Sequence, residues 1–181
     1  MHYETKNVKA HFKVTTPICV PERWKKNVTQ HSNFWTFRPG HPVLENLVYI
    51  VFPSAGHVNV SGLKDFHDSD TVKNYFAHLF EVKALSEVSV DNSTSSGDTQ
   101  EHVNLIRLYQ KITTSQFLST YPCTISIRPH YFPSALVRPK RCSRQFISTC
   151  IVFNNGKFVV VGSKSEAQTA RTVNNLKQFL D

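Results

Sequence analysis

Residues 150–164 read CIVFNNGKFVVVGSK, and this stretch decides how the rest of the chain is read. An apolar run ends at Phe153, Asn155-Gly156 supplies two residues that tolerate positive φ, and a second apolar run starts at Phe158. That pattern predicts a tight β-hairpin. Gly162 closes the second strand, and Ser165 with Gln168 then has the spacing of a helix capping box. Ala167, Ala170, Val173, Leu176 and Leu180 recur at helical spacing behind it, which predicts an amphipathic helix packed across the hairpin.

The same order occurs earlier. Residues 48–80 run from an apolar strand through a turn at Gly56 to a second strand, Gly62 and Lys64, and then to a helix. On that helix Val72, Tyr75, Phe76, Leu79 and Phe80 share one face. Gly56, Gly62 and Lys64 recur 100 residues later as Gly156, Gly162 and Lys164. A fixed long offset marks two copies of one supersecondary unit, too large for a solenoid repeat and of a size for a two-repeat domain.

Outward from the two hairpins, residues 5–14 alternate as a strand, and Pro21 heads a short helix in PERWKKNV. Phe34, Trp35 and Phe37 precede the turn Arg38-Pro39-Gly40. Residues 83–101 lose the apolar period and fill with Ser, Thr, Asp and Asn, the composition of a mobile connector. The expected division is therefore a first repeat over 1–82, a connector over 83–101 and a second repeat over 102–181. VNLIRLYQKI opens the second repeat as a strand matching VKAHFKV, with a short helical candidate around Thr114 to Ser119. Strands broken by Pro and by the basic turn Arg138 to Arg144 follow.

Composition narrows the classes of function. At 181 residues and 40% apolar content the chain can bury a real core. It has no apolar run long enough for a membrane span, and MHYETKNVKAHFK is too polar for a signal peptide, so a cytosolic or nuclear protein is expected and the sequons at Asn27, Asn59 and Asn92 read as chance. Cys19, Cys123, Cys142 and Cys150 lack zinc-site spacing and read as free thiols. Residues 1–100 hold ten basic and ten acidic side chains, while residues 101–181 hold eleven basic and three acidic, so the net +8 lies in the second repeat. Such an asymmetry suits a polyanionic partner, although a merely soluble basic surface has the same signature.

FNNGKFVVVGSKSEA and YFPSALVRPK, in that setting, resemble the hairpin-Gly-Lys-helix signature of the TATA-box-binding protein family and the strand before it. FPSAGHVNVSGLK is a looser first copy, with one extra turn residue and His57 where the family usually carries Lys; Lys157 keeps it. The resemblance implies an α+β fold in which two pseudo-symmetric repeats form one curved, saddle-shaped antiparallel sheet. Helices on the convex face would meet general transcription factors or RNA polymerase subunits. The concave underside would sit on the minor groove of double-stranded DNA, and the place of action would be the nucleus, or the site of viral transcription if the source is a virus. No cofactor is implied.

Sheet alternation supplies part of the same picture. Val58, Val60, Phe158 and Val160 should face the helices, leaving Asn59, Ser61, Val159 and Val161 on the open side, together with Ile50, Ile151 and Phe153. A face that apolar wants a flat, partly apolar partner. Phe34 with Phe52, and Phe132 with Phe153, match the family's kinking wedges; the alternative is ordinary strand-end packing, and Trp35 or Phe37 could take the place of Phe34 with a shift in register. Asn7 and Asn104 match the family's central asparagines, whose amides can donate to the acceptors that every A·T pair offers in the minor groove; the alternative is an Asn that caps a turn. Lys64, Arg138, Lys157 and Lys164 match phosphate contacts along the rim. Asn59 in a usually apolar place, Val161 for a usual Thr, and the insertion RPKRCSR touch A·T preference more than DNA binding itself.

Two rivals remain open at this point. One is a binding module of the same fold that meets protein or an RNA–DNA hybrid. The other is an enzyme, against which stands the absence of GxGxxG, Walker, HExxH and GxSxG motifs and of paired carboxylates on one face.

Overall fold

Both copies of the strand, turn, strand, glycine, helix order are present in the computed structural model, which describes residues 1–41, 43–114, 123–128, 133–140 and 148–181. Phe132, Cys142, residues 115–119 of the short helical candidate and residues 141–144 of the basic turn lie outside the described residues. The chain divides into a first unit, Lys6–Asn92, and a second unit made of Met1–Thr5 with Ser93–Asp181.

The first unit uses most of β1 (His2–Lys13), a 3-10 helix (Glu22–Asn27), β2 (Val28–Gln30), β3 (Trp35–Phe37), β4 (Val48–Phe52), β5 (His57–Leu63) and α1 (Asp68–Phe80). Its strands run in the order β2-β3-β4-β5-β1 with antiparallel neighbours. α1 covers one face of this sheet. Phe76 of α1 lies 5.7 Å from Phe12, 5.0 Å from Tyr49 and 4.5 Å from Phe80, and Phe80 stands edge-on to Phe37 at 4.9 Å. Each such ring contributes roughly 1.5–3 kcal/mol by leaving water. Tyr49 also donates its hydroxyl to the Val72 carbonyl at 2.8 Å, so the core's one phenol is satisfied, and burial raises its pKa.

The second unit contains β6 (Ser89–Asp98) from Ser93 on, α2 (Leu105–Thr113), β7 (Cys123–Arg128), β8 (Ser134–Pro139), β9 (Thr149–Phe153), β10 (Lys157–Ser163) and α3 (Glu166–Leu180), with strand order β6-β10-β9-β8-β7. Its core is aliphatic around Phe158, Val152, Leu108, Ile112, Leu176 and Phe179. Where α3 starts, hydroxyls replace apolar contacts: Ser93 Oγ donates to the Ser163 carbonyl, Ser148 and Ser163 hydroxyls meet at 2.7 Å, and Ser148 N–H donates to Thr172 Oγ1. Those bonds are what allow polar groups to stay buried there.

Several expectations need correcting. Residues 83–101 are not simply a connector, because Ser89–Asp98 forms β6. Its inward residues Ser93 and Ser95 are buried but small, and a Cβ at Gly97 would come within 2.3 Å of the Phe158 ring, so neighbours fill the space that apolar side chains would otherwise announce. Residues 103–112 are not a strand: Leu105, Leu108 and Ile112 are the buried side of α2. On α3 the buried face is Thr169, Thr172, Val173, Asn175, Leu176 and Phe179, with Ala167 exposed. Thr172 can be buried because its hydroxyl donates to the Gln168 carbonyl. Half of the capping box forms: Ser165 Oγ accepts from Gln168 N–H, but Gln168 Oε1 takes the N–H of Lys164, one residue before the N-cap. Of the two turn residues of the second hairpin only Gly156 takes positive φ, at 89°, while Asn155 uses its side chain to accept from Lys157 N–H at 3.1 Å. The short helix expected behind Pro21 is present as a 3-10 helix, with Pro21 as its N-cap rather than inside its first turn.

Candidate nucleic-acid interface

Alternation along the central strands leaves each sheet with one face turned away from its helices. Val58, Val60, Phe158 and Val160 are all buried on the helix side, and Asn59, Ser61, Val159 and Val161 are half-buried on the other, as expected.

In the second unit the strand register places Ser126, Leu136, Ile151, Val159 and Ser96 in one row across β7, β8, β9, β10 and β6. The next row holds Thr149, Val161 and Thr94. An apolar centre of Leu136, Ile151, Val159 and Val161 is thus bordered by hydroxyls. Phe153 stands at the end of β9 opposite Ser134, half-buried. Arg138, paired with Thr124 toward the outer edge, is exposed, as are Lys157 at the hairpin and Lys164 beyond β10. Cations therefore sit around the margin and apolar groups in the middle, an arrangement suited to a partner with charged edges and a flat floor.

The first unit's open face is more polar. Thr36, Ile50, Asn59 and His11 form a row across β3, β4, β5 and β1, and Val48 pairs Ser61. Phe34 and Phe52 meet at 5.7 Å, both half-buried, whereas Trp35 and Phe37 are in the core, so the register in which Phe34 belongs to the open face is the one adopted. Lys64 is exposed beyond β5.

The two asparagines fare differently. Asn7 lies on β1 with its Oδ1 accepting from the Gly62 N–H at 3.0 Å. With the amide oxygen occupied, its NH2 group is the part left to donate outward. Asn104 is not on a sheet at all: it is the N-cap of α2, and its Oδ1 accepts from Ile106 and Arg107 N–H at 3.1 and 3.0 Å. The turn-capping alternative is the correct one for this residue in kind, with a helix in place of a turn.

Sequence reasoning missed Asn92. Val8 pairs Leu63 just after Gly62, and Ser93 pairs Ser163 just after Gly162, each beside a shift in register, so Asn92 stands on β6 where Asn7 stands on β1. Aligning the Asn of VDNSTSS with that of TKNVKA was the available signal, obscured by the lack of apolar residues in β6. Leu136 was missed too, although it shares strand parity with Arg138.

Burial raises the Cys123 thiol and pushes that of Cys150 up to about 12, so both stay protonated. Cys19 is likewise a free thiol, and no group of His, Cys, Asp and Glu fit to hold a metal occurs among the described residues.

A family model described as "Transcription factor TFIID (or TATA-binding protein, TBP)" matches residues 87–181, beginning just before β6. Among solved structures, Methanococcus jannaschii TBP is similar with a TM-score of 0.71 and 16% sequence identity, covering 99% of this chain and 98% of that one. At that identity the likeness bears on fold. No curated protein matches.

Proposed function

Since the chain belongs to the TATA-binding protein family, whose members are DNA-binding transcription factors rather than enzymes, we propose that it starts transcription by seating the open sheet faces of its repeats on the minor groove of duplex DNA and bending it. The observation that carries this reading is the second unit's open face. Leu136, Ile151, Val159 and Val161 make an apolar floor, Phe153 stands at its end, and Arg138, Lys157 and Lys164 are exposed around it. Sugar edges and the groove floor match the apolar centre, and phosphates match the margin.

Asn7, with Asn92 in the corresponding place, would donate to adenine N3 and thymine O2, which favours A·T pairs without fixing their orientation. Phe34 with Phe52, and Phe153 with Phe132, would enter base steps and hold them open. Kinking of this kind is the habit of the family, and unstacking a base step generally costs about a few kcal/mol. The helix-covered side remains for general transcription factors or polymerase subunits, in the nucleus or at a site of viral transcription.

Selection of bound duplexes from a random pool tests the reading. Recovery of A·T-rich sites supports it. Failure to enrich any duplex, with binding to RNA–DNA hybrid or to protein instead, would return the chain to the accessory-module reading.

A further inference from the structure

A row of rings crosses the first unit's open face, running from the Phe34–Phe52 pair through three histidines. His31 stacks on Phe34 at 4.4 Å, Phe34 lies 5.7 Å from Phe52, Phe52 lies 6.2 Å from His57, and His57 lies 5.2 Å from His11. The row ends on Asp91 of β6, whose Oδ1 is 2.8 Å from His11 Nδ1. Lys13 pairs His57 across the strands, and Asn59 pairs His11. Lys9 and Lys13 flank His11 on β1; the segment after α1 meets β1 through Lys13 N–H donating to Ser86 Oγ and, just beyond the strand, through Lys83 N–H donating to Thr15 Oγ1, and Glu87 is turned toward Lys73 at 3.5 Å. In the second unit the residue in the place of His57 is Lys157.

We infer that the first unit's grip on DNA is proton-gated: the His57–His11–Asp91 group contacts phosphate after taking up protons, while the second unit carries Lys157 in that place. This rests on the DNA-binding reading above. With both imidazoles neutral, Asp91 leaves a bare carboxylate on a face meant for a polyanion. The first proton makes an ion pair of His11 and Asp91 and removes that repulsion. The second, on His57, adds a positive charge beside His11 and Lys13. A DNA phosphate supplies the missing counter-charge, so the complex holds more protons than the free chain. By linkage, binding then tightens as pH falls through the range, about 5 to 8, in which histidines change charge.

The gate is tested by fluorescence anisotropy of a labelled A·T-rich duplex at about pH 8 and about pH 6 over a series of salt concentrations, with circular dichroism at each pH. We expect roughly ten-fold tighter binding at the lower pH and a salt slope steeper by about one unit. His57→Lys should bind more tightly at the higher pH and lose most of the pH dependence; Lys157→His should add a second, similar pH dependence. If His57→Lys does not fold, His57→Gln must match the unmutated protein at the higher pH and gain little at the lower. Unchanged pH dependence in either His57 variant overturns the gate. Tight binding that is flat with pH overturns the gate and leaves the DNA reading standing, whereas no binding at any pH overturns that reading as well.

Discussion

Asn7 offers a way to separate holding the fold from reading DNA. Its Oδ1 takes the Gly62 N–H at 3.0 Å, and Gly62 has φ +90° with the Asn46 carbonyl 2.1 Å from where a Cβ would be, so the backbone there has little freedom to find another partner. Asn7→Ala removes the acceptor and the outward NH2 together. Leaving a half-buried amide unsatisfied costs about 1 kcal/mol, the low end of the usual range, or a fall in Tm of about 2–4 °C for a chain of this size. Asn7→Asp keeps the acceptor for Gly62 and replaces only the donor. Its melting should stay within about 2 °C of the unmutated protein. Its affinity for an A·T-centred duplex should drop by about 5- to 150-fold, the equivalent of one base-reading contact of 1–3 kcal/mol. A carboxylate can accept from the guanine amino group, so the loss on a G·C-centred duplex should be smaller and the preference for A·T should shrink. Melting curves and anisotropy titrations on the two duplexes measure all of this. Native melting with an unchanged ratio of affinities in Asn7→Asp would show that Asn7 only braces the bulge at Gly62.

Replacing Lys157 and Lys164 together with Ala should weaken binding to all duplexes alike and flatten the salt slope by about 1.8 units, roughly 0.9 for each lost phosphate contact; an unchanged slope would put the phosphate contacts elsewhere. Phe34→Ala with Phe52→Ala should reduce DNA bending, read by energy transfer between end labels, more than it reduces affinity, because removing a wedge removes a cost and a gain together. Native-like transfer in the folded double variant would return these rings to ordinary packing. Asn104→Ala should lower stability by about 0.5–2 kcal/mol in urea unfolding, as for a lost helix cap, and leave DNA affinity at low denaturant unchanged. A selective loss of A·T affinity would mean the cap is not its only role.

What the sequence disclosed well was whatever carries large side chains at a regular period. β4, β5, β9, β10, α1 and the start of α3 announce themselves because Val51, Val58, Val60, Phe76, Val152, Phe158 and Val160 each fill core volume that only an apolar residue can fill. β6 failed that test because its core-facing side is Ser93, Ser95 and Gly97, with the Phe158 ring occupying the space instead. α2 failed for the opposite reason. Ile106 and Tyr109 are exposed, so apolar residues on both sides of the helix blurred the spacing of Leu105, Leu108 and Ile112. The Asn104 error came directly from these two, since reading α2 as a strand put Asn104 where Asn92 belongs. The ring row was hidden for another reason: His31, Phe34, Phe52, His57 and His11 come from separate strands and turns, and only the register brings them together.

Met1–Thr5 belongs to the second unit, with Met1 and Tyr3 packed against its core and Thr5 and Ser95 hydroxyls 3.3 Å apart. During synthesis these residues emerge well before their neighbours on β6, β10 and α3, which come some 90 residues or more behind them. Contacts of such long range slow folding, and meanwhile the early strand has an unpaired edge open to other chains. The second unit therefore closes only once α3 has followed Met1–Thr5 out. A fragment beginning at residue 93 would lack part of its own sheet, and adding a peptide of the first five residues should restore order to its β6 edge.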